Sequence, residues 1–90
     1  MNPRAHLEFI DARGNVAGNV DEIVAFLRYE HIGRLRWQWS LRTVHILHTS
    51  RLVPSVGRLI GSGVGITKTN ALCRAQTALT QYLAHQGDHT

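Results

Sequence analysis

Hydrophobic and polar residues alternate most clearly in the middle of the chain, in the segment RLRWQWSLR. The apolar positions lie on one side of an extended chain and the polar positions on the other; the apolar set is Leu35, Trp37, Trp39 and Leu41. This period of two predicts a β-strand with both indoles buried against a core. The segments TVHILHT and SVGRLIG continue as two further short β-like runs, with Pro54 at a turn or a strand edge.

Two other segments have the spacing of helices. Asn19 followed by Glu22 resembles a capping box, and the apolar residues after it predict a first helix over about residues 20–31. A second amphipathic helix is predicted over about residues 67–84. Its apolar stripe consists of Ala71, Leu72, Ala75, Ala78, Leu79, Tyr82 and Leu83. The small residues in this stripe would let the helix lie close to a sheet.

The N-terminal segment LEFIDARGNVAG predicts a strand, a turn in which Gly14 is available for a positive φ angle, and a short return. The predicted order is therefore a hairpin and then α-β-β-β-α, which is an α+β fold with two layers. In this fold the long C-terminal helix packs on an antiparallel sheet. We expect residues 1–90 to form one domain, with a core at about 6–84 and a frayed tail at 85–90.

The basic residues are concentrated in the second part of the chain. Between His31 and Gln86 there are seven basic residues and no acidic one. A region of this length without counter-charge presents a positive field, which suits a polyanion or an acidic protein surface. General acid–base catalysis would have no carboxylate in this region, so we expect no enzymatic activity. The histidine pairs His45/His48 and His85/His89 lack partner ligands, so we expect no metal or other cofactor.

The sequence carries no apolar run of the kind found in signal peptides or membrane helices. Its single cysteine, Cys73, has no second thiol with which to form a disulfide. We therefore expect a cytoplasmic protein with no membrane partner.

Three alternate glycines precede a lysine in the segment GSGVGITKT. A P-loop requires Gly-Lys-Ser/Thr in direct succession, but Ile66 and Thr67 separate Gly65 from Lys68. A dinucleotide-binding fingerprint requires its third glycine one residue later than it occurs here. The spacing thus argues against both kinds of nucleotide-binding loop.

The segment GVGITKTNALCRAQTALTQYL resembles the closing part of the double-stranded-RNA-binding domain, and residues 20–83 resemble that family's α-β-β-β-α order. Four residues fall in the places of the family's Gly-x-Gly loop and Ser/Thr-Lys pair: Gly63, Gly65, Thr67 and Lys68. The resemblance implies that the loop amides and the helix start hold backbone phosphates of RNA. Thr69 and Leu72 stand where the family has two further lysines, which implies weak, sequence-independent affinity.

We therefore expect a non-enzymatic protein that binds structured RNA or a ribonucleoprotein through an arginine-rich surface. The candidate contact residues are Lys68, Thr67, Gly63, Gly65, Arg36, Arg42, Arg58 and Arg74.

Two alternatives remain open. An interaction protein could use the same charge against an acidic protein surface, and small phage-encoded inhibitors of the anti-CRISPR type are similar in size and simplicity. The segment PSVGRLIGSGVGITKTNALCRA also resembles a bacterial helix-turn-helix. DNA contacts would then come from Lys68, Thr69, Asn70 and Arg74.

Overall fold

The structure is a computed structural model that describes residues 5–87. Its elements are β1 (His6–Ile10), a single 3₁₀ turn (Val20–Glu22), β2 (Ala25–Gly33), β3 (Arg36–His48), β4 (Leu52–Gly65) and α1 (Lys68–Gly87). The four strands form one antiparallel sheet in the order β1-β2-β3-β4. Helix α1 packs against β4, β3 and β2. The α+β architecture, with a long C-terminal helix on an antiparallel sheet, is therefore confirmed.

The core lies between one face of the sheet and α1. Cross-strand pairing places Leu27 beside Leu41 and Tyr29 beside Trp39. The helix contributes small or apolar side chains to the same cluster, and Ala71 and Leu79 are completely buried there. The period of two in β3 and the helical stripe in α1 are both confirmed by this packing. Trp39 is buried as predicted, whereas Trp37 is only half-buried.

The prediction of a helix over residues 20–31 is wrong. The Asn19 half of the predicted capping box forms, since Asn19 Oδ1 accepts a hydrogen bond from the Asp21 amide at 3.0 Å, whereas Glu22 Oε1 accepts from the Asn19 side-chain Nδ2 at 2.9 Å. The cap starts only one 3₁₀ turn, and the chain becomes extended at Ala25. The apolar residues of this segment fit a helical stripe and a strand equally well. Because the segment pairs with β1 on one side and β3 on the other, it forms a strand. The observed order is β-β-β-β-α.

The β4 strand is longer than predicted and includes the glycine-rich segment that was expected to form a loop. Because the residues before Gly65 are extended, the first helix of a helix-turn-helix does not form here. Leu35 was predicted to lie in the buried face of a strand. It instead occupies the turn between β2 and β3, with φ 57° and 65% of its surface exposed.

The turn after β1 agrees with prediction. Gly14 adopts φ 87°, and Asp11 Oδ1 accepts hydrogen bonds from the amides of Arg13 and Asn15 at 2.9 and 3.1 Å. At the other end of the chain, α1 includes residues 85–87 of the tail that was expected to fray. The remainder of that tail lies outside the described residues. Within residues 5–87, no helix has the length and apolarity needed to cross a membrane.

Candidate nucleic-acid interface

Three of the predicted contact residues lie at one end of the molecule, where β3 and α1 both begin. Arg36 is the first residue of β3, and its neighbour Trp37 pairs with Gly65, the last residue of β4. Lys68 begins α1, and Arg74 follows within two turns. All three side chains are exposed. We call Arg36, Lys68 and Arg74 the basic end.

A short hydrogen-bond network fixes the start of α1. Thr67 Oγ1 accepts from the Asn70 amide at 3.0 Å, as an N-terminal cap does. Asn70 Oδ1 accepts from the Ile66 amide at 3.2 Å and from Arg74 Nε at 3.3 Å. Thr67 thus acts on the backbone of the helix, and Asn70 holds the Arg74 guanidinium near the first turn.

Two further predicted residues, Arg42 and Arg58, lie elsewhere on the β3–β4 hairpin, where β4 carries bulges. Arg42 Nη1 donates to the Gly57 carbonyl at 3.2 Å, and the Arg58 amide donates to Thr43 Oγ1 at 3.0 Å. Six positions of an extended strand separate Arg42 from Arg36, which is roughly 20 Å. Arg58 lines an open groove of ≈ 640 Å³ beside Tyr82. The structure therefore does not bring this pair together with the basic end.

The glycines predicted to cradle phosphate lie in β4, beneath the helix and the Trp39 indole. A Cβ atom at Gly65 would lie 2.6 Å from the Ala71 backbone nitrogen. A Cβ atom at Gly63 would lie 3.0 Å from Trp39 Nε1. These positions are small because helix and indole occupy the space above them, which gives both glycines a packing role.

Four ring side chains form a second feature beside the basic end. His6 stacks on Tyr29 with 4.8 Å between ring centroids and 12° between planes. His31 stacks on Trp37 with 4.8 Å between centroids and 13° between planes. Tyr29 and Trp37 are 6.5 Å apart, which joins the two pairs. We call His6, Tyr29, His31 and Trp37 the aromatic ledge. Both histidines are exposed, so solvent reaches each pair.

Lys68, which belongs to the basic end, also contacts the aromatic ledge. Its Nζ atom lies 5.6 Å from the centroid of the Tyr29 ring, within the range of a cation–π interaction. The Tyr29 hydroxyl donates to Glu8 Oε1 at 3.3 Å. Burial raises the pKa of Tyr29 above its ordinary value of 10.0, and the charge and hydrogen bond of Glu8 raise it further. Tyr29 is therefore a neutral ring that the cation faces on one side.

Reasoning from the sequence missed the aromatic ledge, because it assigned residues 20–31 to a helix. The signal that could have revealed it is the segment HIGRLRW, in which a ring residue stands at each end of a turn containing glycine. If that segment is interpreted as a hairpin, His31 and Trp37 become cross-strand partners, as the structure shows. His6 lies on β1, so its place in the ledge could be predicted only if the register between β1 and β2 were also known.

Among residues 5–87, no three His, Cys, Asp or Glu side chains are grouped closely enough to hold a metal ion. His89, one half of a predicted pair, lies outside that range. Cys73 is an exposed free thiol on α1.

Comparison with known proteins finds no matching family model, no matching curated protein and no matching solved structure. The resemblance to the double-stranded-RNA-binding domain therefore rests on the sequence pattern alone.

Proposed function

We propose that this protein is a non-enzymatic RNA-binding protein that holds the phosphate backbone of RNA at its basic end. The observation that carries the proposal is that exposed Lys68 and Arg74 lie near the start of α1 and exposed Arg36 at the start of β3, at the same end of the sheet, in a chain region from His31 to Gln86 with no acidic side chain. Phosphate neutralisation by such cations supplies most of the affinity in sequence-independent binding of nucleic acids.

The start of α1 adds to the positive charge of the basic end. The exposed amides at the start of a helix carry partial positive charge and favour a nearby anion. Lys68 is the first residue of this helix, and the first turn contains no acidic side chain that would compete for the site. A phosphate near Lys68 would therefore meet the side-chain cation and the helix end together.

A salt-series titration of the wild type and a Lys68→Glu variant against a short structured RNA tests the proposal. The logarithm of the affinity should fall linearly with the logarithm of salt concentration, and each lost phosphate contact should lower the slope by about one unit. Lys68→Glu should weaken binding strongly, because it places a like charge beside the phosphate. Absence of binding at low salt, or an unchanged affinity in Lys68→Glu, would refute RNA binding at this end.

A second candidate function is docking on a protein partner. It is favoured by exposed apolar side chains on β4, where Val56 is 43% exposed and Leu59 is 49% exposed. Nuclease-resistant capture of one protein that is lost in a Leu59→Asp variant, together with no RNA binding at low salt, would favour this candidate.

A further inference from the structure

The aromatic ledge is held in place before any ligand arrives. Each of its two ring pairs spans neighbouring strands, since His6 pairs with Tyr29 between β1 and β2, and His31 pairs with Trp37 between β2 and β3. The small angles between the planes show that the rings are parallel and not edge-on. A fixed ring loses little side-chain freedom when a planar ligand stacks on it, which lowers the entropic cost of binding.

The position of α1 explains why His31 and Trp37 in the ledge stay accessible, whereas Tyr29 is buried. The helix begins with Lys68 over Tyr29, and its buried contacts run from Ala71 toward Leu79. The row of the sheet that contains His31 and Trp37 lies next to Gly65, where β4 ends before the helix starts. Trp37 is consequently half-buried, whereas Trp39 in the next row is covered.

We propose that the aromatic ledge is a stacking site for an unpaired nucleobase of the bound RNA. This inference rests on the RNA-binding function proposed above and narrows the ligand to RNA with a single-stranded loop, bulge or end. Bases inside a duplex are already stacked on their neighbours, so only a splayed base can reach a protein ring. Stacking on aromatic side chains beside a basic groove is the general mode of single-strand binding.

The charges around the ledge set the path of the phosphate backbone. Lys68 stands at the Tyr29 ring, whereas the Glu8 carboxylate accepts the hydrogen bond of the Tyr29 hydroxyl on the β1 side. Phosphates are attracted to the Lys68 ammonium group and repelled by the Glu8 carboxylate. The base therefore stacks at His31 and Trp37 while its phosphates pass along Lys68 and the basic end.

Three ligands of equal length test this site: short oligoadenylate, the corresponding abasic ribose-phosphate chain, and a blunt RNA duplex. The wild type should bind oligoadenylate about tenfold more tightly than the abasic chain, as expected for one stacked base. His31→Ala and Trp37→Ala should each remove most of that difference and leave the salt slope unchanged. His48→Ala is the matched control, because it removes another exposed histidine from the far end of β3. Binding to the duplex should be weaker than to oligoadenylate and insensitive to the ledge variants.

The comparison between ligands uses the unaltered protein, so it remains decisive even if a ledge variant fails to fold. Equal affinities for oligoadenylate and the abasic chain, with both lost in Lys68→Glu, would overturn the stacking site while RNA binding at the basic end stands. Failure to bind any of the three ligands at low salt would overturn both proposals.

Discussion

Gly63 lies beneath the indole of Trp39, so closely that a Cβ atom at position 63 would be 3.0 Å from Nε1 and 3.1 Å from Cε2. The two residues are cross-strand partners in β3 and β4. Gly61 and Gly65 lie on either side of Gly63 on the same face of β4. Ala78 lies over Gly61, and Ala71 lies over Gly65. The alternate glycines therefore form a shallow strip on which the indole and the helix rest.

Alanine substitutions along this strip should destabilise the protein more where less space is available for the added Cβ atom. Gly65→Ala should be the most damaging, because its Cβ would meet the backbone of Ala71 at 2.6 Å. Gly63→Ala should cost about 1–3 kcal/mol by forcing the indole to shift. Gly61→Ala is the matched control, since its Cβ would lie 3.6 Å from the Ala78 Cβ in ordinary contact. Urea unfolding checks the order, and a Gly61 variant as unstable as the Gly65 variant would contradict it.

The two tryptophans should respond differently to solvent and to truncation. Trp39 is 6% exposed, and its Nε1 is buried without a hydrogen-bond partner among the described residues, so packing alone holds it. Trp39→Ala should cost about 3–5 kcal/mol, and Trp37→Ala clearly less. Aqueous iodide should quench the fluorescence of Trp37 and largely spare Trp39. Complete quenching of both indoles in the native protein would contradict this placement.

The sequence predicted correctly those elements in which the apolar residues repeat with one clear period, either that of a strand or that of a helix. The alternation around Trp37 and Trp39 and the alanine-leucine stripe of α1 each match one element, and both elements form. The segment Ala25–Gly33 carries apolar residues that satisfy either period, and its neighbours in the sheet decide the outcome. Local sequence could not supply that information.

The candidate site was predicted only in part, for a related reason. Lys68 and Arg74 follow from the start of a recognisable helix, but the grouping of Arg36 with them depends on the pairing of Trp37 with Gly65. Gly63 and Gly65 were interpreted as a loop because they match the Gly-x-Gly loop of the double-stranded-RNA-binding domain. Their small size is required by the helix above Gly65 and by the Trp39 indole above Gly63, and these are packing contacts that local sequence does not specify.

Tyr29 should ionise only above the ordinary phenol pKa of 10.0, because burial and the neighbouring Glu8 both disfavour its anion. A pKa raised by folding gives a stabilising contribution that is complete below pH 10 and is lost as the pH rises through the folded-state value. Tyr29→Phe should therefore reduce the loss of stability above pH 10. Absorbance titration in a Tyr82→Phe background would follow Tyr29 alone. The added variant Glu8→Gln should lower the Tyr29 pKa partway, because burial remains. If the pKa of Tyr29 were the same with and without Glu8→Gln, the role of Glu8 would be contradicted.

The last prediction separates a local phosphate site from a general effect of net charge. Lys68→Gln and Arg51→Gln each remove one positive charge from a protein of formal net charge +4. Lys68 stands at the basic end, whereas Arg51 lies in the turn that joins β3 to β4, at the opposite end of β3. If phosphates bind at the basic end, Lys68→Gln should lower the salt slope of RNA binding by about one unit and Arg51→Gln should leave it nearly unchanged. Thermal melting should confirm that both variants remain folded, with at most about 1 kcal/mol lost from the contact between Lys68 and Tyr29. Equal effects of the two substitutions would show that only the overall charge attracts RNA, because a local site cannot respond equally to charges at both ends of the strand.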